Sequence, residues 1–148
     1  MYENILIPYD GTEEADLGAE HGVDLAASVG ATVHAIYVID LPGAPRTVYV
    51  RDDEQELRER YREYGEEVTG DVCEMAADAG VDCVAVIKTG SLHEEITDYA
   101  EDNGVDLIVL GAAYRGKLGA ILGGNAEKIV RTSQVPVTTV RESSDPEN

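Results

Sequence analysis

Residues 88–111 read KTGSLHEEITDYAEDNGVDLIVLG, and the punctuation of this stretch decides the fold. Ser91 stands as a helix N-cap with Glu94 three residues on, the pattern of a capping box. The helix LHEEITDYAEDN stops at Asn103-Gly104, and VDLIVLG (105–111) follows as a near-continuous apolar run. A strand apolar at nearly every position is buried on both faces, as in a parallel sheet. Another such run, CVAVIK (83–88), precedes the helix, so the stretch reads as strand–helix–strand.

Outward from this unit the rhythm repeats. NILIPY (4–9), TVHAIYVI (32–39) and VPVTTV (135–140) are further Val- and Ile-rich runs. A helix between the first two has Thr12 as N-cap and Gly30 as stop. A longer one covers about Asp52 to Ala79, with Leu57, Tyr61, Tyr64, Val68, Val72, Met75 and Ala79 at spacings of three and four. Tyr61 and Tyr64 on that stripe are expected to face the core and keep their hydroxyls wet, a stacking platform being the other reading. A fourth helix covers about Gly124 to Thr132. Strict strand–helix alternation predicts an α/β fold, a five-stranded parallel sheet with right-handed crossovers and helices on both faces. The chain divides into one domain, 1–141, and an acidic tail, 142–148. The segment 41–56 is the one long irregular connection, a linker or a lid.

Thirty acidic residues against eleven basic ones give a net charge of −19. Because the acids are spread along the chain, they read as a solvated surface suited to a high-salt, halophilic cytoplasm, where charge is screened within a few ångströms. An acidic partner-binding face is the other reading. Nucleic acid is an unsuitable partner for such a surface. No run approaches the ~20 apolar residues of a membrane span, and MYENILIPYD has no signal pattern. A cytoplasmic protein with no membrane partner is expected. Cys73 and Cys83, without a metal-ligand spacing, are expected as buried free thiols. His21, His34 and His93 fall on separate elements, and no nucleophile elbow or Walker pattern appears. Enzymatic activity is therefore not expected, beyond slow incidental hydrolysis.

Ligands of open parallel sheets bind beyond the C-terminal strand ends. Two such ends carry suggestive residues. Asp10, after Pro8 and Tyr9, either meets a ligand or serves the first helix. Gly111 opens LGAAYRGKLGAILGGNAEK (110–128), where Gly123, Gly124 and Asn125 lead into a helix N-terminus suited to anions. Between residues 110 and 134, Arg115, Lys117, Lys128 and Arg131 face only Glu127. In so acidic a chain this is where an anion would go.

NILIPYDGTEEA, VHAIYVID, KTGSLHEEITDYAEDNGVDLIVLG and EKIVRTSQVPVTTV together resemble the universal stress protein family over roughly residues 3–140. The resemblance implies a flavodoxin-like, doubly wound sheet of order 3-2-1-4-5. It also implies a homodimer paired along the fifth strand, Val135–Val140. ATP-binding members carry Gly, two residues, Gly, nine residues, Gly, then Ser or Thr. Counted forward from Gly111, these positions fall on Tyr114, Gly124 and Asn125. Counted back from GGNAEKIV, they fall on Leu110, Ala113, Gly123 and Gly124. Both frames lack the second glycine and the hydroxyl, as though one residue were deleted. The resemblance implies an adenine-nucleotide site, ATP with Mg or Mn, in a regulatory stress-response role. Pro8, Tyr9 and Asp10 would meet the ribose or adenine and Val38 the base. Gly111, Arg115, Gly116, Gly123, Gly124 and Asn125 would surround the phosphates. Tyr9 would crowd the adenine slot or stack on it. A dimeric scaffold that binds no nucleotide is the alternative, and the fold class alone also admits an electron-transfer flavoprotein.

Overall fold

A computed structural model describes residues 2–40, 52–112 and 124–141. The expectations placed on Arg115, Gly116, Gly123, most of the 41–56 connection and the 142–148 tail lie outside them. The chain runs β1 (Asn4–Pro8), α1 (Glu13–Val29), β2 (Thr32–Ile39), α2 (Asp52–Asp78), β3 (Cys83–Thr89), α3 (Leu92–Asp102), β4 (Leu107–Ala112), α4 (Gly124–Thr132) and β5 (Val137–Arg141). All pairings are parallel and the order is β3-β2-β1-β4-β5, the doubly wound arrangement anticipated from the sequence.

Alternation along the strands sorts the core into two layers, because successive side chains point to opposite faces. Ile5, Ile7, Val33, Ala35, Leu107 and Val109 meet Ala19, Val23 and Ala26 of α1 and Val72 and Ala76 of α2. Leu6, Ile36, Val38, Ile108 and Leu110 meet Ile96, Tyr99 and Ala100 of α3 and Ile129 of α4. Ile5, Leu6 and Ile7 are wholly buried, each contributing about 1.5–3 kcal/mol relative to an exposed position. β3 and β5 form the sheet edges, and the exposure of Val84, Ala85, Lys88 and Thr89 on β3 reflects that placement.

Two local expectations are corrected. Cys73 and Cys83 are not free thiols but form a disulfide between α2 and β3. The reason lies in the turn between them. Gly80 adopts φ +73°, and Val81 N–H returns to the Ala76 carbonyl, so β3 starts beside the last turns of α2. The two Cα atoms are thereby brought to 5.2 Å, inside the range a disulfide spans. At α3, Ser91 makes no side-chain capping bond. Leu92 N–H instead donates to Asp40 Oδ2 at 3.2 Å, so the cap reaches across from the end of β2. At α1, by contrast, Thr12 Oγ1 accepts from Ala15 N–H and Gly30 closes the helix in the left-handed region, as expected.

His34 is buried, and both its ring nitrogens have partners. Its ring nitrogens meet Tyr99 Oη at 2.7 Å and Asn4 Oδ1 at 3.0 Å. The Asn4 oxygen only accepts, so Nε2 carries the hydrogen and Tyr99 donates to bare Nδ1. Burial lowers the His34 pKa. The unfolded chain therefore takes the proton first, at the ordinary value near 6.5. This contribution is intact above that pH and is lost as pH falls toward the folded value, with a slope no steeper than about 1.4 kcal/mol per pH unit. We expect the stability gap between wild type and His34→Gln to narrow from pH 7 to pH 5 in thermal melts. A gap independent of pH would contradict the buried neutral assignment.

Candidate nucleotide-binding site

The chain turns from β1 outward to β2 and β3, then returns to place β4 on the other side of β1. This reversal opens a crevice at the carboxyl ends of β1 and β4. A cavity of about 220 Å³ lies there. Pro8, Tyr9, Asp10, Val38, Gly111 and Asn125 all line it, so the structure brings together six of the residues singled out in the sequence. Gly124 begins α4 beside them. Ile96, Leu110 and Ile129 add an apolar floor. They were not anticipated as lining residues, although they share the face of Leu6 and Val38. A second cavity of about 400 Å³ shares Asp10, Val38 and Asn125 and adds Asp40 and Tyr61.

Asp10 sits in an exposed turn. Its Oδ1 accepts from Thr12 N–H at 3.0 Å and Thr12 Oγ1–H at 2.6 Å, while Thr12 itself caps α1. Asp10 thus supports the capping residue without being the cap. Among the described residues its Oδ2 has no hydrogen bond. One carboxylate oxygen is fixed, which orients the other.

Tyr9 lines the cavity and also packs on the α1–α2 side of the sheet. It follows Ile5 and Ile7 onto the α1–α2 face and packs there near Tyr37 and Val68. Its hydroxyl donates to Asp16 Oδ1 on α1. Burial, and then the Asp16 carboxylate, raise the phenol's pKa well above its usual value. Tyr9 therefore enters neutral pH as a fixed hydrogen-bond donor.

Gly111 is where two backbones meet. A Cβ there would lie 1.6 Å from the Glu14 carbonyl oxygen, and one at Gly18 would lie 2.5 Å from Gly111 N. What approaches Gly111 is the first turn of α1. On the far wall, Asn125 and Ala126 belong to the first turn of α4, whose leading N–H groups have no intrahelical acceptor. Arg131 on α4 pairs with Glu127. The acidic residues along the described walls are Asp10, Glu14 and Asp40. Among the described residues no helix is long and apolar enough to cross a membrane.

The universal stress protein family model matches residues 1–141. Universal stress protein MJ0531 of Methanocaldococcus jannaschii is 33% identical over 145 residues, covering 95% of this chain and 83% of that protein. The solved structure of hypothetical protein MJ0577 superposes with a TM-score of 0.81 at 29% identity, covering 98% of this chain and 99% of its own. MJ0577 is a universal stress protein of the same organism. A universal stress protein family protein from Arabidopsis thaliana, solved with AMP bound, shares the fold at 16% identity, a TM-score of 0.70 and coverage of 97% and 94%. With the 3-2-1-4-5 sheet and a family match over almost its whole length, the chain belongs to the universal stress protein family.

Proposed function

We infer that this protein binds an adenine nucleotide, ATP, in the crevice between β1 and β4 and uses it as a regulatory ligand in a stress response. The observation that carries the reading is the convergence of Pro8, Asp10, Val38, Gly111 and Asn125 on one cavity with an apolar floor and a helix N-terminus at its wall. The floor of Ile96, Leu110 and Ile129 suits the faces of a purine. Asp10 suits a hydroxyl or amino donor at the nucleoside end. The first turn of α4 suits phosphate oxygens. Mg or Mn enters the reading as counter-ion of the triphosphate, held by phosphate oxygens. The AMP bound to the Arabidopsis thaliana protein is an adenine nucleotide on this scaffold.

In this reading the protein is not an enzyme, and two copies pair along β5, a sheet edge whose backbone groups invite a partner strand. The specific observation favouring a scaffold without nucleotide is the loop arithmetic, which leaves no Ser or Thr after the last glycine in either frame.

Protein purified without added nucleotide is denatured and its released small molecules identified by mass spectrometry, with ATP titration in molar salt as a second arm. Release of an adenine nucleotide, or binding below millimolar, is expected. Neither occurring favours the scaffold. Asp10→Ala is expected to weaken ATP binding by roughly tenfold or more, the worth of one hydrogen bond to a charged group. Asp10 is exposed, so the fold should survive. Unchanged affinity would remove Asp10 from the site.

A further inference from the structure

Helix α2 touches the turn that carries Asp10, although it contributes little to the main cavity. The Tyr64 hydroxyl donates to the Asp10 carbonyl oxygen at 2.9 Å. The two residues are 54 positions apart in sequence. The neighbouring Gly11 adopts φ +83°, and a Cβ there would lie 2.3 Å from Tyr64 Oη. The phenol thus sits against the one residue whose left-handed backbone shapes the turn.

Tyr64 is itself held in place. Its ring meets Tyr37 edge to face, with centroids 5.6 Å apart. Gly65, the next residue, allows the approach, because a Cβ there would lie 2.5 Å from the Tyr37 ring. Tyr37 is buried at the end of β2 in the cluster with Ile39 and Val68. The chain of contacts therefore runs from the sheet through Tyr37 to Tyr64, and from Tyr64 to the Asp10 backbone. Thr12 holds the Asp10 side chain at the same time. Main chain and carboxylate are anchored by different elements, α2 and α1.

We propose that Tyr64 is a positioning residue for ligand binding by Asp10, through which the seat of α2 sets the affinity of the crevice. This rests on the nucleotide reading above. Tyr64 does not touch the main cavity. It acts by holding the Asp10–Gly11 turn at one height above the sheet, so that the Asp10 carboxylate meets the nucleoside end without first paying the entropy of ordering the turn.

The test is Tyr64→Phe, which keeps the ring and removes only the hydroxyl. Tyr64 is 42% exposed, so the melting temperature of the ligand-free protein should stay within about 2 °C of wild type. ATP affinity measured by calorimetry should fall about three- to tenfold, the net worth of one neutral hydrogen bond. In an Asp10→Asn background the same substitution should cost less than about twofold, since a positioning effect needs the carboxylate it positions. Amide exchange at Gly11 and Thr12 in the ligand-free protein, followed by NMR, should quicken at least about threefold as the turn loosens. An equal loss of affinity in both backgrounds would show a general structural effect and overturn the proposal. So would unchanged exchange and affinity in Tyr64→Phe when wild type binds ATP. Absence of ATP binding by wild type would overturn the nucleotide reading first, and this role with it.

Discussion

Gly111→Ala is expected to cost at least about 4 kcal/mol of stability, or to prevent folding altogether, which places it in the exceptional tail of single substitutions. The added methyl would lie 1.6 Å from the Glu14 carbonyl oxygen, 2.4 Å from its carbonyl carbon and 3.1 Å from Ala15 Cα. All three atoms are backbone, so no rotamer change relieves the overlap. Either α1 lifts from β4 or the end of β4 leaves the sheet. Lifting α1 separates Ala15, Ala19, Val23 and Ala26 from the core. Distorting β4 breaks its pairing to Val140 of β5 at the Gly111 register. A Cβ at Gly18 would likewise lie 2.5 Å from Gly111 N, so the helix is seated closely on this strand end at a second point and has little room to slide.

Gly22→Ala supplies the internal comparison. Its Cβ would meet Ile7 Cδ1 at 2.5 Å, the far end of a flexible side chain, and an overpacking cost of about 1–3 kcal/mol is expected. Thermal melts of the two variants check the order. At roughly 2–4 °C per kcal/mol for a chain of this size, Gly111→Ala should lose at least about 8 °C. If Gly111→Ala melts with or above Gly22→Ala, the close approach of α1 to β4 is wrong. The result also bears on function. In the forward frame Gly111 stands where the nucleotide-binding pattern that the family resemblance implies would begin, yet its lack of a side chain is already required by the seat of α1. Its presence therefore carries less weight for phosphate binding than the cavity at whose rim it lies.

This distinction marks what the sequence made legible. The elements came from periodicity: TVHAIYVI coincides with β2, and the stripe from Asp52 ends one residue from the close of α2. Apolar runs and helical stripes are local properties, and the parallel order followed from their alternation with the family resemblance added. The site was legible as a place, because Asp10, Val38, Gly111 and Asn125 each sit at a strand end or helix start, and topology collects such ends. Side-chain direction was less legible. Tyr9 lines the cavity as the sequence suggested, but its packing beside Ile5 and Ile7 and its bond to Asp16 on α1 had no local signature. The Asp40 cap on α3 and the Tyr64 bond to Asp10 span 52 and 54 residues. Neither leaves a local signature, because each depends on how far a crossover carries the chain. The glycine pairs had the same limit: Gly18 and Gly111 have meaning only against each other.

Reduction of the Cys73–Cys83 bridge is expected to lower stability by about 2–3 kcal/mol, the chain-entropy value for a loop closed over ten residues. The loop holds the last turns of α2, the Gly80 turn and the first residue of β3. β3 is an edge strand and pairs with β2 alone, so it lacks the second neighbour that secures β1. The bridge fastens this strand to α2, whose Val72 and Ala76 are already packed in the core. Loss of the bridge should therefore be felt first at β3, as faster amide exchange along Val84–Lys88, before the central strands respond. Alkylation of the unfolded, unreduced protein should label neither cysteine, and alkylation after reduction should label both. The Cys73→Ser, Cys83→Ser double variant should match the reduced protein, with a melting temperature lower by roughly 4–12 °C. Equal melting temperatures for the oxidised and reduced forms would show that the bridge adds nothing to a helix and strand already held by packing. Because structural disulfides persist in oxidising surroundings and are rare in reducing ones, the same labelling on acid-quenched cells reads the compartment. A cytoplasmic home kept reducing predicts two labelled thiols there and a bridge that forms only under oxidation.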